Sequence, residues 1–460
     1  MAGEVSSHSI SNSEQGDSPA NRYLRELLRQ SEEQKIPMRA ENSGLLQELR
    51  QRAAYDVAQQ QMPTRKDEDW RFTDLSELRE IHFLRVQPAK LSPADIAPFV
   101  LPEAQQSCIV FVNGVYEPQL SDTSALPSGL FVGNLAQLRV EDSFEAIKYI
   151  ARQEGSKEVF TALNSTGFPD IAILWAKANA VVEAPIHLLF LTVLGDSPTF
   201  CQPRGLVIAE KGSSLTFVEH YAVIAEGCSD TPQNRAYFTN SVMEVFVKEN
   251  ARVNHTRNQR ESGDGFHIGK TAVSQEKNSH YTCNAITLGG KLSRHNLDVW
   301  QKGKQTETHL NGLTTIGQEQ VADTHSAILL AHPHGTTDQL HKCIVDDRAR
   351  AIFNGKVCVP KDAQLTNAAQ LNRNLLLSPR ARVDTKPELQ ITADNVKCTH
   401  GATVSQIDSD ELFYLQSRGI NADDARHLLL DAFAGEILER LPVASLRKAL
   451  AQCVACRTYD

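Results

Sequence analysis

The sequence predicts a mainly-β protein with a helical segment at each end. Strand signals dominate residues 106–405, whereas helical periodicity of apolar residues is confined to residues 21–105, a short interlude and residues 406–460. A degenerate repeat runs through the strand region: polar or turn residues, a small residue, a polar one, then an apolar one. Its last four anchors are Ala349, Ala363, Ala381 and Val396, at spacings of 14, 18 and 15 residues. Short strands at such a step, with polar corners between them, suit the stacked coils of a β-helix. A sandwich or barrel also fits short strands between turns. The pattern alone leaves both open.

The chain has 460 residues, 41% of them hydrophobic, enough for two or three domains or one long array. Its formal charge is −9 and no basic patch carries interleaved aromatics, which argues against nucleic acid as the main ligand. No run approaches the roughly 18 apolar residues of a membrane span. Residues 1–20 carry Glu4, Glu14, Asp17 and many serines, with no Lys or Arg before Arg22. They read as a disordered tail, neither a secretory signal nor a transit peptide. Nine scattered cysteines suggest reduced thiols and a cytoplasmic setting.

Residues 21–105 read as a helical domain. Tyr23, Leu24, Leu27 and Leu28 share a helix face, and Leu45, Leu46 and Leu49 start a second helix that Met62-Pro63 ends. Pro63-Thr-Arg-Lys-Asp-Glu-Asp-Trp-Arg-Phe-Thr-Asp-Leu75 reads as a polar connection anchored by Trp70 and Phe72. Residues 106–405 form the β core. Cys108–Tyr116 is a strand–turn–strand unit with Asn113-Gly114 at the turn. A helical interlude covers Glu141–Leu163. Strands follow at Ile171–Trp175, Ile186–Val193, Gly205–Ala209, Leu215–His220, Ser241–Val247 and Arg252–Asn258.

Gly263-Asp-Gly-Phe-His-Ile-Gly-Lys-Thr271 imitates a phosphate loop. Asp264 occupies the position of the required first glycine, and strand-like sequence follows where a helix is needed. It reads as a turn between coils, with no ATP site. His325, His332, His334 and His341 are the densest histidine group, but no Cys-x-x-Cys or acidic partner is spaced to close a metal site. No carboxylate cluster supports a polysaccharide-acting β-helix enzyme. Cys398 and His400 stand two apart on a strand. They therefore share a face, about 7 Å apart at Cα, within reach of one iron or cluster edge. A buried cysteine beside a hydrogen-bonded histidine fits the same residues, and two protein ligands need others, such as residues of a partner chain.

Residues 406–460 read as a helical domain. Asp408–Ser417 is a short helix ended by Gly419, and Asn421 caps the next. Its stripe is Ala425, Leu428, Leu429, Ala432, Phe433, Ile437, Leu438 and Leu441. Pro442 starts a third helix carrying Leu446 and Leu450. Cys453-Val-Ala-Cys456 has redox spacing but stands alone near the terminus.

Several stretches together resemble a known family. They are Pro63–Leu75, Val110-Phe-Val-Asn-Gly-Val-Tyr116, Gly290-Lys-Leu-Ser-Arg-His295, Phe353-Asn-Gly-Lys-Val357, Asn372–Ser378 and Thr385-Lys-Pro-Glu-Leu389. The most specific is Cys398-Thr-His-Gly-Ala-Thr403 with Phe413-Tyr-Leu-Gln-Ser-Arg-Gly419. Over nearly its whole length the chain resembles the SufB/SufD family of the SUF iron–sulfur cluster assembly system. The Cys-x-His-Gly-Ala-Thr form is similar to the SufD branch, whereas the SufB branch tends to carry His-Glu-Ala-Thr. The resemblance implies a right-handed parallel β-helix flanked by N-terminal and C-terminal helical domains. It implies a non-catalytic scaffold subunit in a complex with SufB and the SufC ATPase, with ATP entering only through SufC. The last strands would pair with those of SufB. His400 would help bind iron or the nascent cluster at that interface, with Cys398 beside it. The C-terminal helices would dock SufC, with Phe413, Tyr414, Arg418, Leu428, Leu429 and Phe433 as the docking residues. A homodimer of the isolated chain is a further expectation. The alternatives are a polysaccharide-acting β-helix enzyme and the SufB paralogue itself.

Overall fold

In the computed structural model, which describes residues 19–33, 43–225 and 232–456, successive strands alternate between two sheets. From Arg204 to Ser405 every strand pairs in parallel with the one two positions earlier or later in the chain. In one sheet Arg252 faces His280, then Glu307, Thr336, Asn367 and Lys397 in turn, so one coil takes about 30 residues. The result is a parallel β-solenoid of about 8 turns. The anchor steps of 14 to 18 residues are therefore half-coils.

The corners explain the repeat. Gly212, Asn250, Asn278, Gln305, His334 and Leu365 all have positive φ. Each donates its amide to a carbonyl one coil further on, as in Asn278 N to Lys304 O (3.0 Å) and Leu365 N to Asn395 O (2.7 Å). Of the anchors, Ala363 is buried beside such a corner, and Ala349 and Ala381 are buried at corners on the other edge of the coils. Leu365 is the misfit: φ is +61° and its side chain is 50% exposed. A branched side chain there carries a steric cost with little packing in return, so Leu365→Gly is expected to raise stability by about 1 kcal/mol. Denaturant titration of both proteins reads it, and an unchanged or lowered midpoint would contradict the strain.

The solenoid starts as the turn chemistry requires. Asn113 (φ +52°) and Gly114 (φ +79°) link antiparallel strands in which Phe111 faces Tyr116. The helical interlude is two helices, Val140–Tyr149 and Val159–Gly167. The second is buried throughout, and Leu24, Leu27, Phe160 and Leu163 share a core with Phe200, Phe238 and Phe266 of the solenoid. The tail expected over residues 1–20 lies outside the described residues as far as residue 18; Pro19 and Ala20 begin the helix Pro19–Glu32. The second helix, Ser43–Ala58, stops short of Met62 and leaves Leu45 42% exposed.

After Ser405 three helices follow: Ser409–Ser417, Ala422–Leu438 and Ala444–Cys456. Asp408 and Asn421 cap the first two through the amides of Asp410 and Asp424. Leu430, Ala434, Ile437, Leu446 and Leu450 fold back onto Leu313, Leu340, Ile344 and Leu375 on the outer face of one sheet. Among the described residues no helix is long and apolar enough to cross a membrane.

Candidate functional site

The solenoid is closed at its start and open at its end. Among the described residues, Arg382–Ile391 has a strand partner only in Arg350–Val359, and Lys397–Ser405 only in Asn367–Leu376. Both final strands therefore present a row of backbone donors and acceptors to solvent. Val404 (51%), Leu365 (50%), Leu371 (39%) and Ile391 (37%) are exposed around this end.

Cys398 and His400 lie on that last strand. Their register partners are Ala368 and Gln370, both buried in the coil beneath. Cys398 and His400 thus continue the inward face, and no further coil covers them. Cys398 is half-buried against the solenoid core beside Leu389 and Val396. Burial raises its thiol above the ordinary value, which favours the thiol over the thiolate needed to hold a metal. His400 is exposed. Among the described residues, no three His, Cys, Asp or Glu side chains stand together as a metal site. The pair would need ligands beyond those that the described residues place beside it.

A ladder of side-chain amides runs beneath His400. Gln339 Nε2 donates to Ser326 Oγ (2.8 Å), and Gln370 Nε2 donates to Gln339 Oε1 (2.9 Å). Both glutamines are buried. Gln339, Gln370 and His400 stand in register on three successive coils, a juxtaposition that only the full-coil register reveals.

The other candidates disperse. His325 is on one sheet and His341 on the other, and His332 and His334 are exposed at a corner. His341 is buried and pushed down to about 4 by burial, so it is neutral; its Nε2 lies 3.1 Å from Thr314 Oγ1. Of the glycine-rich stretch only Gly263 and Asp264 form a turn. Gly265–Gln275 is a fully buried strand, and Lys270 is buried against Asp298. No loop is left there to wrap a phosphate.

Pro63–Leu75 is more than a polar connection. It crosses the outer face of the Arg382–Ile391 sheet over four successive coils. Trp70 is buried with the Arg294 guanidinium 3.9 Å from its ring centre. Arg294 also donates to Asp69 O (2.8 Å) and pairs with Asp323, which accepts from Thr73. Phe72 lies under Arg350, and Glu68 meets Lys386 on the next-to-last strand at 2.7 Å.

On the C-terminal helices, Ser409–Ser417 buries nothing. Phe413 is 71% and Tyr414 57% exposed, with the Arg418 guanidinium 5.2 Å from the Tyr414 ring. Leu428 is 49% exposed and Leu429 half-buried. Phe433 differs. It turns toward the solenoid, where Lys342 Nζ lies 4.4 Å from its ring and donates to its carbonyl (2.9 Å). Cys453 is half-buried and Cys456 exposed on the last helix.

Residues 192–433 match the family described as "SUF system FeS cluster assembly, SufBD core domain", and residues 21–188 match "SufBD protein N-terminal region". The chain is 52% identical over 415 residues to an iron–sulfur cluster assembly SufBD family protein of Synechocystis sp., covering 90% of this chain and 92% of that one. It is 36% identical over 428 residues to the chloroplastic protein ABCI7 of Arabidopsis thaliana, covering 91% and 88%. It is 30% identical over 393 residues to the iron–sulfur cluster assembly protein SufD of Escherichia coli, covering 84% and 87%.

Proposed function

The chain belongs to the SufBD family of the SUF iron–sulfur cluster assembly system, and from that premise we propose that it is a SufD-type scaffold subunit with no turnover of its own, acting with SufB and the SufC ATPase. The observation that carries the reading is the open terminal coil: two strands with free edges beside an inward-facing His400 and Cys398. A free strand edge is a template for another sheet, and main-chain bonds across it supply affinity without side-chain specificity. SufB continues the solenoid there and contributes the further ligands. Iron is the cargo. The imidazole of His400 offers it a nitrogen ligand, and Cys398 becomes a ligand only once its thiol is ionised.

The helices beyond the edge dock SufC through the exposed Phe413, Tyr414 and Leu428, with Leu429 and Arg418 at the margin. Three residues, 406–408, separate the His400 strand from the Phe413 helix. Closure of SufC on ATP pulls that helix, shifts the strand and opens the site between the two subunits. All ATP is bound and hydrolysed by SufC.

The test is the purified complex of this chain with its SufB and SufC partners. His400→Ala should leave assembly intact and lower bound iron at least about 10-fold. Iron content equal to wild type would sink the ligand role. For the docking surface, Phe413→Asp with Leu428→Asp is expected to weaken capture of SufC about 10-fold or more, since apolar anchors dominate such contacts. Undiminished SufC in the pull-down would count against it.

A further inference from the structure

The amide ladder ends in an anomaly. Gln370 is 3% exposed, its Nε2 is committed to Gln339, and its Oε1 is buried with no hydrogen-bond partner. An unpaired buried carbonyl oxygen is costly, so such a group calls for an explanation. The place is also built for this side chain. A Cβ on Gly355 would stand 2.3 Å from Gln370 Nε2, so only glycine across the coil admits the amide. The residue in register above Gln370, on the same inward face, is His400.

We propose that Gln370 is the positioning residue for His400: its amide oxygen accepts the N–H of the imidazole and so presents the other ring nitrogen, with its lone pair, to the incoming iron. A histidine that ligates a metal usually gives its second ring N–H to a fixed acceptor, which sets tautomer and ring orientation. Ser326 and Gln339 hold the acceptor from below, so the orientation is set from the solenoid interior before the partner arrives. The proposal rests on the reading of His400 as an iron ligand.

Two measurements test it. The first is ferrous iron bound anaerobically by the complete complex of Gln370→Leu, His400→Ala and the double variant. The second is the rate at which diethyl pyrocarbonate modifies His400 in the metal-free chain, read by mass spectrometry. Gln370→Leu is expected to weaken iron binding about 10- to 100-fold and to slow modification of His400 about 3-fold, with amide exchange across Lys397–Ser405 unchanged. The double variant should bind no less iron than His400→Ala. Gln370→Glu keeps an acceptor, and Gln339 can turn its amide to meet it, so this variant should return to within about 3-fold of wild type. If His400→Ala loses iron while Gln370→Leu keeps it and is modified at the wild-type rate, Gln370 has no such role and the ligand reading stands. A double variant that loses further iron, or amide exchange that rises across Lys397–Ser405, makes the effect structural and overturns the proposal. Iron retained by His400→Ala overturns the ligand reading and the role of Gln370 with it.

Discussion

Asp323→Ala is expected to cost about 3–5 kcal/mol, the range for breaking a buried ion pair from one side. Asp323 is 2% exposed and Arg294 is 3% exposed, on adjacent coils. Removing the carboxylate leaves the guanidinium without its counter-ion, with Asp69 O, His325 Nε2 (3.2 Å) and the Trp70 ring as its remaining partners. It also strips Thr73 of its acceptor and His325 Nε2 of a carboxylate 3.0 Å away. The loss therefore reaches the whole Pro63–Leu75 strap. The outer pair Glu68–Lys386 is a contrast. Glu68 is 79% and Lys386 41% exposed, and a pair of that kind contributes about 1 kcal/mol or less. Glu68→Gln should therefore be nearly silent where Asp323→Ala is severe. Denaturant titration measures both. A loss below about 1 kcal/mol for Asp323→Ala would show that the strap is not held by this network.

The same network carries its own pH signature. Burial alone would raise the Asp323 carboxyl; Arg294, His325 and Thr73 outweigh it and hold the group at about 2. A depressed carboxylate stabilises the fold above its unfolded value near 4 and stops doing so as pH falls toward 2. The Asp323 carboxylate therefore keeps its charge across the neutral range.

How much of this was legible in the sequence depends on the distance over which each feature is encoded. Asn113-Gly114 demanded two positive φ angles locally, and the turn is there. Cys398 and His400 share a face because strand side chains alternate, whatever surrounds them. The half-coil step was visible in Ala349, Ala363 and Ala381, because every corner buries a small residue. The floor under His400 was not, since Gln370 becomes its neighbour only through the register of a full coil. Trp70 looked like a packing anchor in a charged loop because its partner, Arg294, lies more than two hundred residues away. The stripe on Ala422–Leu438 misplaced Leu428 for another reason. Leu428, Leu429 and Leu430 are consecutive, and periodicity cannot say which of three adjacent leucines faces the solenoid. Leu430 does, and Leu428 is left outside.

Mild acid should destabilise the protein, well before its carboxylates titrate. Four histidines are buried and held far below their ordinary value: His187, His220, His295 and His341. Burial is the leading cause in each. His220 is pushed down to about 3 and His341 to about 4, while His220 has both ring nitrogens buried without a partner. A histidine whose folded value lies below its unfolded one binds a proton only on unfolding. Its contribution is complete above about 6.5 and falls by about 1.4 kcal/mol per pH unit below that. At pH 5 His220 and His341 each cost about 2 kcal/mol, together about 4 kcal/mol, and His187 and His295 add to the loss in the same direction. His255 works in the opposite sense. Burial would lower it, but Cys283 and Glu219 raise it to about 9, so it is already protonated at neutral pH and its contribution is lost only on the alkaline side. Unfolding free energies from denaturant titrations should fall by at least about 4 kcal/mol between pH 7 and pH 5, with the slope steepening below about pH 6.5. His220→Phe removes a titrating group whose nitrogens have no partner, and stacks where His187 and Phe99 already pack. It should make the slope shallower by about 1.4 kcal/mol per pH unit while costing little at pH 7. A flat profile between pH 7 and pH 5 would mean that these imidazoles reach water in the folded chain, and that the solenoid interior is wetter than its packing implies.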